Sequence, residues 1–273
     1  MYFSDPGTPD ISGLWELDPN ILDRPDYRRW IVDGEVISDT LHLETGKRAD
    51  GSIGGDALGV TLPYTAPYMA VLKRRHDFEA AGTPVAMSST YCWPPGPVTV
   101  YFSGPQTVVT SKGLITGNPM SITQTPGRVQ IVYAQDEQVR NIYTDGRPHP
   151  DLSEYEPTLQ GHSIGHWEGN TLVVDTVGAR RETNLYGVEM HSDALHVIER
   201  IRRDEGELDI HIRIEDVKAF TNPVEVKMRF TARVEPLPEY FCTENHISRP
   251  DENGFLHEPL VPWKPVGWDL PDD

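Results

Sequence analysis

The stretch HVIERIRRDEGELDIHIRIE, residues 196–215, decides the fold because it predicts a β-hairpin with a defined register. Apolar and polar residues alternate on both sides of Glu205-Gly206, with the period of two that is typical of β-strands. A turn at these two residues pairs Glu199 with Ile212 and places Glu199 on an otherwise apolar face. That face comprises Val197, Ile201, Ile210, Ile212 and Ile214, whereas the opposite, solvent-facing side comprises His196, Arg200, Arg202, Asp209, His211, Arg213 and Glu215.

The same alternation runs through the second half of the chain. It predicts strands at residues 121–125, 129–135, 138–144, 162–168, 171–177, 195–203, 208–215, 224–234 and 239–243. Short turns join several of these segments, so we expect neighbouring strands to be antiparallel. The pattern therefore predicts a mainly β protein, with an antiparallel up-and-down, lipocalin-like barrel over residues 119–273 that ends in a C-terminal strap.

Residues 1–118 are weakly periodic and predict an irregular N-terminal extension packed on the barrel, so that both parts form one structural unit. One helix is expected within the extension, at about residues 66–81. Its start and stop signals are Thr65 as a cap, Pro67 in the first turn and Gly82 at the end.

Charge and composition exclude several classes of partner. A net charge of −18 argues against nucleic acid and against anionic membrane surfaces. The N-terminus has no basic stretch followed by an apolar one, and no apolar run approaches the ~20 residues of a membrane span, so we expect a cytoplasmic protein without a membrane partner. Cys92 and Cys242 are expected to be buried thiols, with one long-range disulfide as the alternative. The sequence leaves self-association into a homo-oligomer open.

Two further hairpins carry polar outliers. In VQIVYAQDEQVRNIYT, residues 129–144, a turn at Asp136-Glu137 pairs Tyr133 with Arg140 and places this arginine among apolar neighbours. In GHSIGHWEGNTLVVDTV, residues 161–177, the Gly169-Asn170 pair suits a type II′ turn. The second turn places three titratable residues on one face: His162, His166 and Asp175.

Glu199 and Arg140 each allow two interpretations. Burial would raise the pKa of the Glu199 carboxyl and make it a proton donor or base near neutral pH. Arg140, beside Tyr133, could hold a substrate carboxylate through its planar guanidinium. The alternatives are a buried structural ion pair between the two residues, or an edge position at which Glu199 reaches water.

The histidines predict acid–base chemistry rather than a metal site. A carboxylate such as Asp175 can orient His162 or His166 as an acid or base. On a strand, residues four apart lie ~13 Å from each other, too far to share a metal ion, so no metal is expected. Nucleophile-elbow, P-loop and dinucleotide motifs are missing from the sequence, which favours a protein without a cofactor. Polar loops supply further substrate-binding candidates, unless they are simply turns: Tyr143, Arg147, His149 and His191.

Several longer motifs resemble a bacterial family whose members are largely uncharacterised. They are PPG at 94–96, YTDGRPHP at 143–150, GHSIGHWEGNTLVVDT at 161–176 and CTEN at 242–245. The resemblance covers roughly the last two thirds of the chain. Proteins of this kind are linked to the breakdown of lignin-derived dimers, in which cofactor-free decarboxylases act on phenylcoumaran acids. The resemblance implies an arginine for the substrate carboxylate, a proton donor and an aromatic-lined pocket.

The sequence thus predicts a cofactor-independent lyase, a decarboxylase of an aromatic or hydrophobic carboxylic acid, with its site in a barrel pocket. Arg140 is expected to anchor the carboxylate, and His162 or Glu199 to donate the proton, with Asp175 orienting the histidine. Tyr133 and Tyr143 are expected to line the pocket. The alternative is a carrier that binds a hydrophobic small molecule without catalysis. An enzyme needs several titratable groups at one point, whereas a carrier needs an apolar lumen.

Overall fold

A computed structural model describes residues 7–39, 62–83, 85, 93–102, 104–110, 113–185, 189–240, 264 and 267–271. Helix α1 spans Ala66–Ala80 and confirms the predicted helix to within one residue. The strands are β1 Gly13–Leu17, β2 Arg29–Val32, β3 Glu35–Asp39, β4 Gln106–Thr110, β5 Gly113–Gly117, β6 Met120–Thr125, β7 Arg128–Tyr133, β8 Val139–Tyr143, β9 His162–Glu168, β10 Thr171–Val177, β11 His196–Asp204, β12 Glu207–Glu215 and β13 Val224–Ala232.

Nine strands of the described chain close into a β-barrel, which confirms the predicted fold class. The order around the barrel is β1, then β6 to β13, and β1 pairs with β13 to close it. The β2–β3 hairpin extends the sheet from β13, and β4–β5 forms a separate hairpin. Inward-facing residues of the long strands alternate with polar outward-facing ones, as barrel closure requires. The core of β11 to β13 includes Val197, Ile201, Ile210, Ile212, Val226 and Met228.

The topology departs from an up-and-down barrel in two places. Strand β8 pairs with β9 in parallel, through Ile142 with Ser163 and Tyr143 with Ile164. Parallel neighbours require a crossover connection, so residues 144–161 run back along the outside of the barrel. The closing strand β1 lies in the region that was predicted to be an irregular extension. Of the predicted strand 239–243, Tyr240 forms only an isolated bridge with Gln135, and residues 241–243 lie outside the described residues.

The register was predicted correctly for the hairpins with two-residue turns and incorrectly for the β7–β8 hairpin, whose connection is longer. Glu199 faces Ile212 and Asp175 faces Ile164, as predicted. Arg140, however, faces Ile131 rather than Tyr133. The backbone N–H of Tyr133 bonds to the carbonyl of Gln138 at 2.9 Å, which makes the connection longer than the predicted two-residue turn. A shift by two residues preserves the pleat, so Arg140 stays on the inward face.

Helix α1 packs at the end of the barrel where the longer loops lie. Tyr64, just before the helix, forms a β-bridge with Phe220 of the β12–β13 loop. Arg75 bonds through Nη2 to Asp269 Oδ1 at 2.7 Å. In the described part of the chain, no helix is long and apolar enough to cross a membrane. Cys92 and Cys242 lie outside the described residues.

Candidate active site

Arg140 and Glu199 form an ion pair inside the barrel. Their side chains are 1% and 0% exposed, and Arg140 donates to both carboxylate oxygens, with Nη1 3.0 Å from Oε1. The other donors bond to Ser163 Oγ at 3.1 Å, Thr176 Oγ1 at 2.8 Å and the Tyr101 hydroxyl at 3.3 Å. All five N–H donors of the guanidinium are therefore engaged, and none is left for a substrate carboxylate.

Tyrosines complete this interior network. Tyr101 belongs to a 3-10 turn, Thr99–Tyr101, and its hydroxyl donates to Glu199 Oε1 at 2.6 Å. Burial and the charge of Glu199 raise the pKa of Tyr101 well above its usual value, so the hydroxyl stays protonated. Tyr133, also buried, donates to the Tyr101 hydroxyl at 3.4 Å and packs edge-on against its ring. The interior network is Arg140, Glu199, Tyr101, Tyr133, Ser163 and Thr176.

A second polar cluster lies on the outer face of the barrel. Asp175 Oδ1 accepts from His149 Nε2 at 3.0 Å and from His196 Nε2 at 2.9 Å. The Nδ1 atoms of His149 and His162 lie 2.9 Å apart. We call His162, His149, Asp175 and His196, in this order, the histidine relay.

The barrel topology assembles the relay. His162 begins β9, Asp175 lies near the end of antiparallel β10, and His196 begins β11, so all three occupy the same end. His149 comes from the crossover connection, which passes over the outer face because β8 and β9 are parallel. The relay thus joins four separate segments of the chain.

Asp175 determines part of the protonation pattern of the relay. A carboxylate only accepts, so both Nε2 atoms that face Asp175 carry a proton. Of the two Nδ1 atoms of His149 and His162, one carries a proton and the other accepts it. No described residue forms a hydrogen bond with Nε2 of His162, so this atom can bond to water or to a ligand.

The two histidines at the ends of the relay, His162 and His196, have pKa values that are shifted in opposite directions. Burial lowers the pKa of His162, and the charges of His149 and Arg147 lower it further. The hydrogen bond with Asp175 raises the pKa of His196, as does the nearby Glu215 carboxylate. The hydrogen bond from His196 in turn lowers the pKa of Asp175. Titratable groups whose pKa values are pushed apart are a recurring feature of acid–base sites.

Aromatic rings hold the exposed end of the relay. Tyr143 stacks on the His162 ring with centroids 5.5 Å apart, and Tyr155 approaches it edge-on at 6.1 Å. The guanidinium of Arg147 lies 3.9 Å from the Tyr143 ring centroid and pairs with Asp145 at 2.5 Å. These contacts restrict the rotation of His162 without burying it.

A cleft of about 280 Å³ opens beside the relay. Tyr155 lines it and also contacts His162, and Ala194 lines it close to the start of β11. Its wall includes the apolar Leu152, and Lys218 Nζ lies there 2.8 Å from Asp193 Oδ1. An apolar wall suits the apolar body of a small molecule, and Asp193, which also lines the cleft, balances the charge of Lys218.

The remaining sequence candidates lie apart from the relay. His166 is on the same strand as His162 but is 65% exposed, and its ring bonds to Glu168 at 3.2 Å. His191 is fully buried, with Nε2 2.9 Å from Thr183 Oγ1 and Nδ1 2.7 Å from the Ser192 carbonyl. His191 therefore packs as a structural residue in this loop. Of the sequence candidates, the structure brings together His162, Asp175, His149, Tyr143 and Arg147 outside the barrel, and Arg140, Glu199 and Tyr133 inside it.

Sequence reasoning missed His196, Tyr155 and Tyr101. His196 was assigned to a solvent face, and only the β10–β11 register, which pairs Asp175 with Ile198, brings it beside Asp175. Tyr101 lies in a segment without periodicity, so no pattern could place it in the barrel. In the described residues, no three His, Cys, Asp or Glu side chains are arranged to hold a metal ion.

Comparisons of the chain with protein-family models, with curated proteins and with solved structures found no match.

Proposed function

We propose that this protein is a lyase that decarboxylates a small aromatic or hydrophobic carboxylic acid through side-chain acid–base chemistry, without a cofactor. The observation that carries the proposal is the histidine relay, in which Asp175 bonds to His149 and to His196 and raises the pKa of His196. The adjoining cleft offers a binding place for such a substrate. The sequence motifs resemble a largely uncharacterised bacterial family, and the link of that family to cofactor-free decarboxylases supports the same reaction class.

His196 is the proposed proton donor. Its Nδ1 atom lies 3.5 Å from Glu215 Oε2, a long contact that a substrate oxygen would replace as the acceptor of the Nδ1 proton. As the C–CO2 bond of the substrate breaks, its electron pair forms a C=C bond and displaces a neighbouring oxygen. This oxygen takes the proton of His196, and CO2 leaves.

His196 also takes up the replacement proton. Decarboxylation consumes one proton per turnover. After Nδ1 has donated its proton, His196 keeps the Nε2 proton that bonds to Asp175, so the replacement proton returns to Nδ1 from water. The raised pKa of His196 favours this step, and His149 and His162 hold Asp175 in position.

The structure gives the carrier alternative no comparable support. A carrier would need an open, apolar lumen. In the described barrel the inward side chains are buried against each other, and the interior network occupies the position where a ligand would meet Arg140. The proposal therefore places the chemistry on the outer face rather than in a barrel pocket.

A substrate screen tests the reaction class. The full chain is incubated with a panel of aromatic and aryl-substituted carboxylic acids, and CO2 release and new ultraviolet-absorbing products are measured. We expect turnover of at least one acid, and turnover that survives a strong chelator. Failure of every acid to release CO2, or loss of activity on chelation with recovery by one metal ion, would contradict the proposal.

Three matched histidine variants test the roles within the relay. His196→Gln should lower kcat by roughly 10²-fold or more, the usual scale of general acid catalysis. His162→Gln removes the partner of His149 but no proton that the reaction uses, so it should slow turnover by less than His196→Gln does. His166→Gln, on the same strand but outside the relay, is the control and should be unaffected. Equal activity of all three variants would remove the relay from the mechanism.

A further inference from the structure

A second polar cleft lies on the outer face of β11, β12 and β13. Arg200 on β11 pairs with His211 on β12, and His211 pairs with Lys227 on β13. Three basic side chains thus stand directly beside one another across three strands, and we call them the basic row. His211, in the middle, bonds through Nε2 to Glu225 Oε2 at 2.8 Å, so Arg200 and Lys227 are the members that can bind an anion.

The basic row borders a cleft of about 230 Å³. Arg202, two residues from Arg200 on the same face, and the Tyr27 side chain also line it. The cleft is smaller than the roughly 300–1,000 Å³ of most small-molecule pockets, but it has ample room for a tetrahedral oxyanion.

The carboxylate in this cleft is already neutralised. Asp209 receives Arg229 Nε on Oδ1 at 2.6 Å and Arg229 Nη2 on Oδ2 at 2.8 Å, and the Tyr27 hydroxyl donates to Oδ1 at 2.8 Å. Burial and the neighbouring Asp209 raise the pKa of Tyr27 to about 12, so this hydroxyl remains a donor.

The cations of the cleft are only partly compensated. Arg200 pairs with Glu168 at 2.8 Å, and Arg202 lies 3.3 Å from Asp204, in both cases between side chains that are largely exposed. Within the described residues, Lys227 has no ion-pair partner. A chain with a net charge of −18 repels anions in general, so an anion site requires such a local cluster of cations.

We propose that this cleft binds a phosphate group, carried by inorganic phosphate or by a phosphorylated small molecule. Arg200 and Arg202 offer planar forks that match phosphate oxygens, and Lys227 supplies a point charge from the opposite side. A dianion with several acceptor oxygens compensates cations from two strands, β11 and β13, better than a single carboxylate does. The site contains no member of the histidine relay and is independent of the proposed lyase activity.

Titration calorimetry with the full chain tests the site. Inorganic phosphate and phenyl phosphate are titrated separately in a low-salt buffer, with sodium chloride as the reference titrant. We expect saturable binding of phosphate that weakens as salt is added. Similar affinity for both ligands would show that inorganic phosphate is sufficient for binding. Tighter binding of phenyl phosphate would indicate that the natural ligand is a phosphorylated small molecule.

Two cleft variants and one control complete the experiment. Lys227→Gln and Arg202→Gln should each weaken phosphate binding tenfold or more, with unchanged melting temperatures. Arg128→Gln makes the same charge change at an exposed position on β7, four strands from β11 around the barrel, and should keep wild-type affinity. Absence of saturable binding, or equal affinity in all three variants, overturns the proposal.

Discussion

The interior network and the histidine relay are both clusters of charged and aromatic side chains, yet they differ in what they leave available. Inside the barrel, every N–H of Arg140 has a partner and Glu199 is fully buried. On the outer face, Asp175 is 41% exposed, and His162 keeps a nitrogen that no described residue bonds. A polar residue in an apolar pattern therefore indicates a buried polar group with partners inside the fold. A donor or acceptor without a partner beside a cleft is the better indication of a reactive site.

The largest effect, a loss of stability, is expected from disrupting the ion pair of the interior network. Glu199→Gln keeps the shape of the side chain but leaves the Arg140 charge unpaired in the core. We expect the free energy of unfolding to fall by about 3–5 kcal/mol, because removing one partner of a buried ion pair carries that cost. Denaturant unfolding measures it, and activity per folded molecule should be unchanged.

A double variant is the control for this experiment. Arg140→Met combined with Glu199→Leu removes both charges and should recover most of the lost stability, since apolar replacement of a buried pair is often neutral or stabilising. Normal stability of Glu199→Gln together with a large loss of kcat would instead assign the chemistry to the barrel interior.

The sequence correctly predicted the strand pairings that short turns determine. The two-residue turns at Glu205-Gly206 and Gly169-Asn170 fixed the register of two hairpins, and so the inward position of Glu199 and the outward position of Asp175. The β7–β8 connection was mispaired because its longer loop, with positive φ at Asp136 and Glu137, carries no glycine to mark it.

The sequence patterns could not predict contacts between segments that are far apart in the chain. The parallel β8–β9 pairing depends on a crossover connection that has no helix or strand of its own, so periodicity gives no sign of it. Without that crossover, His149 cannot be placed beside Asp175. Closure through β1, with Trp15 facing Ala232, likewise depends on pairing across most of the chain length.

A smaller effect is expected in the pH dependence of the relay. The proposed donor His196 must be protonated, and its pKa is raised by the hydrogen bond with Asp175. We therefore expect kcat/KM to fall as pH rises through this raised pKa. Asp175→Asn removes the carboxylate, so the fall should move to lower pH, and activity at neutral pH should drop by roughly 10-fold or more.

The measurement is the pH profile of kcat/KM for wild type and Asp175→Asn. Glu168→Gln is a matched control, because it removes an exposed carboxylate that contacts His166 rather than the relay. The same pH profile in wild type and Asp175→Asn would show that Asp175 does not set the protonation of the catalytic group.

A third buried cluster contains Glu189, which forms no ion pair with any residue that the structure describes. Glu189 accepts from the Tyr64 hydroxyl at 2.5 Å, while the nearby Arg75 bonds to Asp269 through Nε at 3.0 Å and Nη2 at 2.7 Å. Burial dominates over both neighbours and raises the pKa of Glu189 from 4.5 to about 8. Glu189 is therefore expected to be a neutral acid in the fold, unlike Glu199 in its ion pair.

This difference predicts a modest pH dependence of stability with a defined sign. Between pH 4.5 and about 8, folded Glu189 holds a proton that the unfolded chain has released. The contribution of Glu189 to the free energy of unfolding should therefore fall as pH rises through this interval, by at most about 1.4 kcal/mol per pH unit, and level off above it. Glu189→Gln keeps a neutral side chain at every pH. The melting temperature of this variant should therefore rise relative to that of the wild type as pH increases from 5 to 8. A constant difference between the two proteins over this range would mean that Glu189 is ionised in the fold, like the acid of the interior network.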